Sequence, residues 1–351
     1  MPNRWIAALV LLALTAGIWW ARRRPPQYAS AYVSDRAATL WSTTAQVRQP
    51  VATLHYAERV DVLRRSGEQV EVRAADGSRG WIDGHELMDP GLWQQAAELL
   101  ARTRAMPGQA VAHTRSVSNV HIEPGRDTPR IFQFGKNVPV AVFERKVVTA
   151  SGPAETAPES DATHSDAPPA KYEDWLLVVR TGDSNIASAS ADPGLSAPIA
   201  GWVLAQFVAL DPPQPIPDYT NAAGVNVVAW AVLDSVPNAS PVNSSPVNSG
   251  PLNSNDEKPQ YLVAVARGGE ARMCDFTGLR VYTWGAKRQR YETAYVENDL
   301  CGQMPIRVRK TPAGAEFSFP TIGESSAERL YRMKQTVVRR VADESVPPDK
   351  R

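Results

Sequence analysis

The sequence of 351 residues predicts a mainly β protein in which one small β domain occurs twice and is followed by a third, β-rich region. Three observations lead to this prediction. Apolar residues alternate with polar ones over short stretches, which is the period of half-buried strands. A set of short elements recurs in the same order within residues 31–210. The 29 prolines and 22 glycines are typical of short strands joined by loops.

Residues 1–24 are expected to form an N-terminal transmembrane helix, as a membrane anchor or uncleaved signal. Their apolar run, residues 5–20, would be about 24 Å long as a helix, short of a hydrocarbon core of about 30 Å. A cleaved secretory signal has a similar basic start and short apolar core. Lipidation is excluded because Ile18 occupies the position that the cysteine would need. An anchor facing the exported side is favoured, although the three arginines after the run are more typical of a cytoplasmic flank.

After a short linker, residues 25–30, the first copy of the repeated domain covers residues 31–88. Alternating valines predict its central strands. These are Val60, Val62, Val70 and Val72. Asp76-Gly77 suits the positive φ angles of a hairpin turn, and the strand after this turn opens with Gly80-Trp81. A helix over residues 89–106 is then expected to join the two copies.

The second copy, residues 111–210, repeats the elements of the first with growing shifts in residue number. The matches are Val60 with Val138 and Val62 with Val140 (shift of 78), Val72-Arg73 with Val179-Arg180 (shift of 107), and Gly80-Trp81 with Gly201-Trp202 (shift of 121). The growth indicates long inserted loops, and residues 150–170 and 181–198 have loop compositions rich in Pro, Ser, Ala and Asp. We expect the two copies to superpose, with residues 147–174 and 181–199 outside the common fold.

Four motifs of the second copy occur in the order found in a known family. They are Asn119-Val120-His121, Phe134-Gly135-Lys136-Asn137-Val138, the Trp-led strand 175–180 and Gly201-Trp202-Val203. The first copy matches less well, with Thr39-Leu40-Trp41 at the first motif and Ala57 in place of the glycine. This pattern resembles the bacterial SH3-like (SH3b) domain. The resemblance implies two small barrels of five to seven strands that bind cell-wall or protein ligands in the bacterial envelope.

The third region, residues 211–345, is predicted to be a C-terminal β domain entered through a stiff proline-rich linker. A low-complexity loop at 237–258 repeats a five-residue unit and cannot bury a core. The last segment, from Glu328 to Val341, fits a helix or a strand, and its β-branched run favours the strand. We connect no named family with this region.

The third region also holds both cysteines, Cys274 and Cys301, which are expected to pair as a disulfide if the chain is exported. Two buried thiols are the alternative in a cytosolic chain. No histidine lies downstream of His164, so neither a metal site nor a thiolate activated by histidine is expected there. The sequence also lacks phosphate-loop and nucleophile-elbow motifs. We therefore predict no catalytic residues, no metal and no cofactor.

Aromatic residues of the repeats are the remaining candidates for binding a ligand, because such rings can stack on a peptide or a sugar. They are Trp41, Tyr56, Trp81, Phe134, Trp175 and Trp202. The competing interpretation is that Trp81 and Trp202 only close the hydrophobic core of each copy.

The charge is balanced, with 38 basic and 37 acidic residues, so no nucleic-acid partner is expected. We expect a non-catalytic binding or scaffolding protein on the exported side of the bacterial inner membrane, in the periplasm or at the cell surface. Its partner would be peptidoglycan or an envelope protein. The alternatives are an accessory regulator of a cell-wall hydrolase and an enzyme with an active site within residues 220–345.

Overall fold

The computed structural model describes residues 29–150, 172–181, 199–238, 257–269, 272–322 and 328–341. In these ranges the protein is mainly β and consists of four antiparallel sheets, two α-helices and two short 3₁₀ turns. The chain divides into two compact units between Pro90 and Gly91. The first unit contains the first sheet, and the second unit contains the other three sheets.

The first sheet has seven strands in the order β3-β2-β6-β5-β4-β1-β7. They are β1 (Ala29–Val33), β2 (Ala37–Trp41), β3 (Pro50–His55), β4 (Arg59–Ser66), β5 (Gln69–Arg73), β6 (Arg79–Asp83) and β7 (Leu87–Met88). The predicted alternation holds, since Val60, Val70 and Val72 are buried in one core with Leu40 and Ile82. The predicted linker is shorter than expected, because Ala29 and Ser30 already belong to β1.

The second sheet also has seven strands, and their order, β10-β9-β13-β12-β11-β8-β14, repeats that of the first sheet with every label raised by seven. They are β8 (Ala110–Thr114), β9 (Ser118–His121), β10 (Arg130–Phe134), β11 (Pro139–Thr149), β12 (Tyr172–Arg180), β13 (Ala200–Leu204) and β14 (Val208–Leu210). Trp81 and Trp202 lie in the equivalent strands β6 and β13. Helix α1 (Pro90–Arg104) stands between the two sheets in the chain.

Neither seven-stranded sheet closes into a hydrogen-bonded barrel. Strands β3 and β7 end the first sheet, β10 and β14 end the second, and neither pair of end strands is joined in the described residues. Each of these sheets is therefore open, which corrects the expectation of small barrels.

Strand pairing also corrects the match between the two copies. Ala57 and Asn137 both have positive φ angles, 70° and 61°, and each donates its backbone N–H to the last residue of the strand that opens its copy. These two residues are therefore equivalent, and Val60 corresponds to Val140. The shift at this strand is 80 residues rather than the predicted 78.

The two glycines matched at a shift of 121 stand where two strands approach closely. A Cβ atom on Gly80 would lie 2.8 Å from the backbone oxygen of Trp41, and one on Gly201 would lie 2.9 Å from that of His121. Both distances are shorter than a Cβ atom tolerates. The Gly-Trp pairs thus recur because the same strand crossing occurs in both copies.

The predicted match between strands β5 and β12 is wrong by one residue. Val72 is paired with Gly80 in the first copy, and Val178 is paired with Gly201 in the second, so the shift is 106 rather than 107. The hairpin before it is longer than expected, because 147–149 pair with 172–174. The remainder of both predicted insertions lies outside the described residues.

The third region folds as two four-stranded sheets, β15-β16-β17-β18 and β19-β20-β21-β22. Their strands are β15 (Asn226–Pro237), β16 (Glu257–Ala266), β17 (Gly278–Gly285), β18 (Arg290–Glu297), β19 (Arg307–Thr311), β20 (Gly314–Pro320), β21 (Glu328–Lys334) and β22 (Val337–Arg340). Part of the expected proline-rich linker instead enters helix α2 (Ile216–Ala222). The segment from Glu328 is β as favoured, but it forms a hairpin rather than one strand. Of the expected loop at 237–258, residues 239–256 lie outside the described residues.

One core contains residues of both four-stranded sheets, including Leu262, Val281, Phe317 and Tyr331. A second core contains Ile216 of α2 together with residues of β16, β17 and β18. The first of these two sheets thus contributes to both cores, as in a layered domain.

A buried ion cluster ties the second sheet to the third region. Arg145 of β11 donates through Nη2 to Asp174 of β12 at 2.7 Å and through Nη1 to Asp275 at 2.9 Å. Nη1 also donates to the carbonyl oxygen of Arg272, and Asp275 accepts from the backbone N–H of Met304. Burial raises the pKa of the Asp275 carboxyl, and the bonds from Met304 and Arg145 act against this effect.

Gln109 provides a second set of hydrogen bonds between the second sheet and the third region. Its side chain donates to the carbonyl oxygen of Ile306 at 3.0 Å and accepts from the N–H of the same residue at 2.7 Å. Its backbone oxygen accepts from the N–H of Trp230 at 2.8 Å. The second sheet and the third region accordingly form one compact unit.

The expected anchor, residues 1–24, lies outside the described residues. Among the residues that are described, no helix is both long enough and apolar enough to span a bilayer.

Candidate functional site

The second sheet carries a cleft of about 340 Å³ beside strands β9 and β12. Its wall includes both apolar and polar side chains. Among them are Asn119, His121, Arg126, Gln133, Trp175 and Phe207. The strand order brings these residues together, because β9 and β12 both pair with β13.

His121, at the end of β9, presents a hydrogen-bond acceptor at this cleft. Its Nδ1 lies 2.8 Å from the carbonyl oxygen of Thr128. A carbonyl oxygen only accepts, so Nδ1 carries the proton and Nε2 keeps its lone pair in the neutral ring. Burial lowers the pKa of His121, with the charges of Arg130 and Arg126 adding to the effect. The neutral form is thereby favoured.

Trp175 contributes an unpaired donor next to this ring. Its side chain is 1% exposed, and its Nε1–H has no acceptor within the described ranges. The rings of His121 and Trp175 meet edge to face, with centroids 5.2 Å apart. A buried N–H group without an acceptor is costly, so polar groups in this position are normally satisfied by a partner. The wall of the cleft therefore includes a histidine ring with a lone pair on Nε2 and a tryptophan whose unpaired N–H is buried.

The rim of the cleft is polar and exposed. Gln133 donates to Asn119 at 3.0 Å across β10 and β9, and Arg126 pairs with Glu173 at 2.6 Å. A neighbouring cleft, also of about 340 Å³, shares Arg126 and includes Tyr172, whose side chain is 54% exposed. The two clefts give the second sheet a polar groove with an aromatic side chain at one end.

The structure divides the six predicted aromatic residues. Only Trp175 lines the cleft of His121. Phe134 is 1% exposed, so its ring has no free face in this structure on which a ligand could stack. Tyr56 is buried in the first unit, and burial raises the pKa of its hydroxyl to about 12.

The other three predicted rings each lie under a cation of the protein itself. The charged groups of Arg48, Arg64 and Lys146 lie 4.2, 4.8 and 5.1 Å from the ring centroids of Trp41, Trp81 and Trp202, respectively. Cation–π contacts of this kind occupy one face of each ring. Trp81 and Trp202 are also buried, in line with the packing interpretation.

The first sheet has different residues at the two central positions of the cleft. Trp41 is paired with Trp81 as His121 is paired with Trp202, so Trp41 takes the place of the histidine. The register of β5 and β6 places Gln69 at the position of Trp175. The cleft chemistry described above thus belongs to the second sheet.

Cys274 and Cys301 are joined by a disulfide with a Cα–Cα distance of 4.9 Å. The pair is adjacent in sequence to Asp275 of the buried ion cluster. Within the described ranges, no group of three or more His, Cys, Asp or Glu side chains is placed to hold a metal ion.

The polar rim of the cleft and the place of His121 in its wall were not predicted from the sequence. His121 was visible as the last residue of a family-like motif, but its partners come from three other strands. Arg145 was missed as well, since Asp275 is 130 positions away. No local signal pointed to this cluster, because Asp174 lies in residues 147–174, which were predicted to be an inserted loop.

No family model matches the chain, and no curated protein matches it. Two solved structures are similar over most of their length. A protein of the NlpC/P60 family from Bacillus cereus is 12% identical, with 77% of this chain and 94% of that chain covered and a TM-score of 0.22. NlpC2 from Trichomonas vaginalis is 9% identical, with 92% and 95% covered and a TM-score of 0.17. Scores this low assign neither fold nor function.

Proposed function

We propose that this chain is a non-catalytic binding protein of the bacterial envelope, and that the cleft on its second sheet holds the ligand. The observation that carries the proposal is the unpaired Nε1–H of Trp175 beside the neutral ring of His121. The two seven-stranded sheets are interpreted as open variants of SH3-like modules. The repeated strand order and the recurring Gly-Trp pairs support this interpretation.

The chemistry of the cleft suits a ligand with an amide group. An amide oxygen accepts from the N–H of Trp175, and the amide N–H of the same ligand donates to Nε2 of His121. Gln133 and Asn119 on the rim extend the polar contacts. Peptides and N-acetylated sugars both carry such amides, and both occur in peptidoglycan. Cell-wall material is therefore the proposed partner.

The proposed location is the exported side of the inner membrane, with residues 1–24 as the anchor. The apolar run of residues 5–20 and the disulfide between Cys274 and Cys301 support it, since disulfides persist in oxidising compartments. Protease added to intact spheroplasts should degrade the chain. Protection until the inner membrane is lysed would contradict the exported orientation.

Sedimentation of the full chain, in mild detergent, with purified peptidoglycan tests the ligand. Trp175→Phe keeps the aromatic ring and removes the N–H, so affinity should fall about tenfold, the worth of one buried hydrogen bond. Trp284→Phe is the matched control, because it removes an indole N–H in the same compact unit, one that is bonded to the carbonyl oxygen of Asn238. Equal binding by Trp175→Phe and the unaltered chain would contradict the proposed site.

A further inference from the structure

The last sheet carries a surplus of positive charge although the whole chain is nearly neutral. Residues 307–322 and 328–341 contain eight basic and two acidic side chains. Glu316 of β20 lies directly between Arg309 of β19 and Arg332 of β21. It bonds both guanidinium groups, at 2.6 and 2.7 Å, so both carboxylate oxygens are occupied.

The same row of side chains continues to Arg339 on β22, which is paired directly with Arg332. Like charges directly opposite each other destabilise a sheet. Arg339 has no carboxylate partner within the described part of the chain, and neither have its neighbours Lys334 and Arg340. The row therefore ends in two facing arginines, of which only Arg332 has a carboxylate partner.

These cations surround a cleft of about 670 Å³ along β22, which is the end strand of its sheet. Arg332, Lys334, Arg339 and Arg340 line it, together with the exposed side chain of Val337. No acidic residue is part of the lining. The cleft thus presents a concave surface of one sign of charge.

We propose that this cleft binds a phosphate group of a soluble ligand, with Arg332 and Arg339 as its two principal donors. A phosphate group has several acceptor oxygens and up to two negative charges. It can accept from two guanidinium forks at once and remove the repulsion between them, whereas a carboxylate brings one charge. The concave shape favours a soluble anion over the flat array of headgroups on a membrane.

Calorimetric titration of the full chain in uncharged detergent with inorganic tripolyphosphate tests this proposal. Arg339→Gln should weaken binding about tenfold, the effect of one charge-assisted hydrogen bond. Arg307→Gln is the matched control, because it removes one charge from the same sheet, where Arg307 already pairs with Glu328 at 3.2 Å. The control should change the dissociation constant by no more than about twofold.

Stability distinguishes loss of the site from loss of the fold. Because Arg339→Gln removes the repulsion with Arg332, its thermal midpoint without phosphate should be equal to or above that of the unaltered chain. Tripolyphosphate should raise the midpoint of the unaltered chain more than that of the variant. A lower thermal midpoint for the variant without phosphate would contradict the interpretation that Arg332 and Arg339 repel each other.

Three results of the titration would overturn the proposal. The first is no binding of tripolyphosphate by the unaltered chain. The second is an equal loss in Arg339→Gln and Arg307→Gln, which would indicate general electrostatic attraction. The third is binding to nanodiscs of phosphatidylglycerol in the absence of binding to tripolyphosphate, which would assign this face to a membrane surface.

Discussion

Replacement of Arg145 by methionine is expected to destabilise the second compact unit strongly. The side chain of Arg145 is 4% exposed and bonds both Asp174 and Asp275. Methionine keeps an unbranched apolar side chain but removes the guanidinium group that bonds both buried carboxylates. Removal of one partner from a buried ion pair costs about 3–5 kcal/mol, mostly because the remaining charge stays desolvated. We expect a loss in this range.

Urea unfolding of the full chain in detergent, followed by tryptophan fluorescence, measures the loss as a change in the free energy of unfolding. Arg126→Gln serves as the control, because it removes a guanidinium group that pairs with Glu173 at 2.6 Å but is 52% exposed. Exposed pairs contribute about 0–1 kcal/mol. Equal losses in the two variants would refute the argument from buried charge.

The effect of the Arg145→Met variant should also depend on pH. Burial raises the pKa of Asp275 and Arg145 lowers it, so the variant raises this pKa further. A carboxyl group with a raised pKa in the folded state costs stability as pH rises through the interval between its unfolded and folded pKa values. The difference in free energy of unfolding between the variant and the unaltered chain should therefore shrink as pH falls from neutral to about 5. A difference that stays constant over this pH range would contradict the role given to Asp275.

Three further predictions concern the strand crossing, the disulfide and the histidine. Gly201→Ala should lower the free energy of unfolding, measured in urea, by about 1–3 kcal/mol, because its Cβ atom would meet the backbone oxygen of His121 at 2.9 Å. Gly108→Ala is the control and should not destabilise the protein, because the space around the new Cβ atom is open. Cys274→Ser should lower the free energy of unfolding of the second compact unit by about 3–4 kcal/mol, since the bridge to Cys301 spans 27 positions; two free thiols in mass mapping of envelope-derived protein would contradict it. Because burial lowers the pKa of His121, the unfolded state binds its proton more readily, so stability should fall as pH drops below about 6.5; His121→Gln should reduce that fall, and an unchanged pH profile would count against it.

The recurrence of two β domains could be predicted from the sequence, but the alignment of their strands could be predicted only in part. A slip of two residues leaves the alternation of apolar and polar positions unchanged, so Val60 matched Val138 as well as its true equivalent, Val140. In β12 the run of apolar residues from Leu176 to Val179 has no alternation that could fix the register. Gly80 and Gly201 were placed correctly, because their requirement is steric and local. The match of Trp41 with His121 was also correct, since each pairs with the tryptophan that follows the glycine.

The candidate site could be predicted only in part. Trp175 was found because it leads a predicted strand of the second copy, yet stacking was expected of it, and the structure instead shows a buried ring with an unpaired N–H. Its neighbour His121 is 54 positions away in the chain, and the contact depends on both strands flanking β13. The basic face around Arg339 was missed for the same reason. Its pairing with Arg332 is visible only after the hairpin register is known.

The equivalent backbone positions of Ala57 and Asn137 have a consequence for how the two copies can evolve. Both copies keep a left-handed residue at this turn and a glycine at the strand crossing, although the residue type at the turn differs. The side chains at the cleft positions, His121 and Trp175, contribute to neither requirement. Substitutions there can change what the second copy binds while the conformation that both copies share is conserved. A duplicated sheet of this kind can acquire a new ligand specificity in one copy while the other copy stays unchanged.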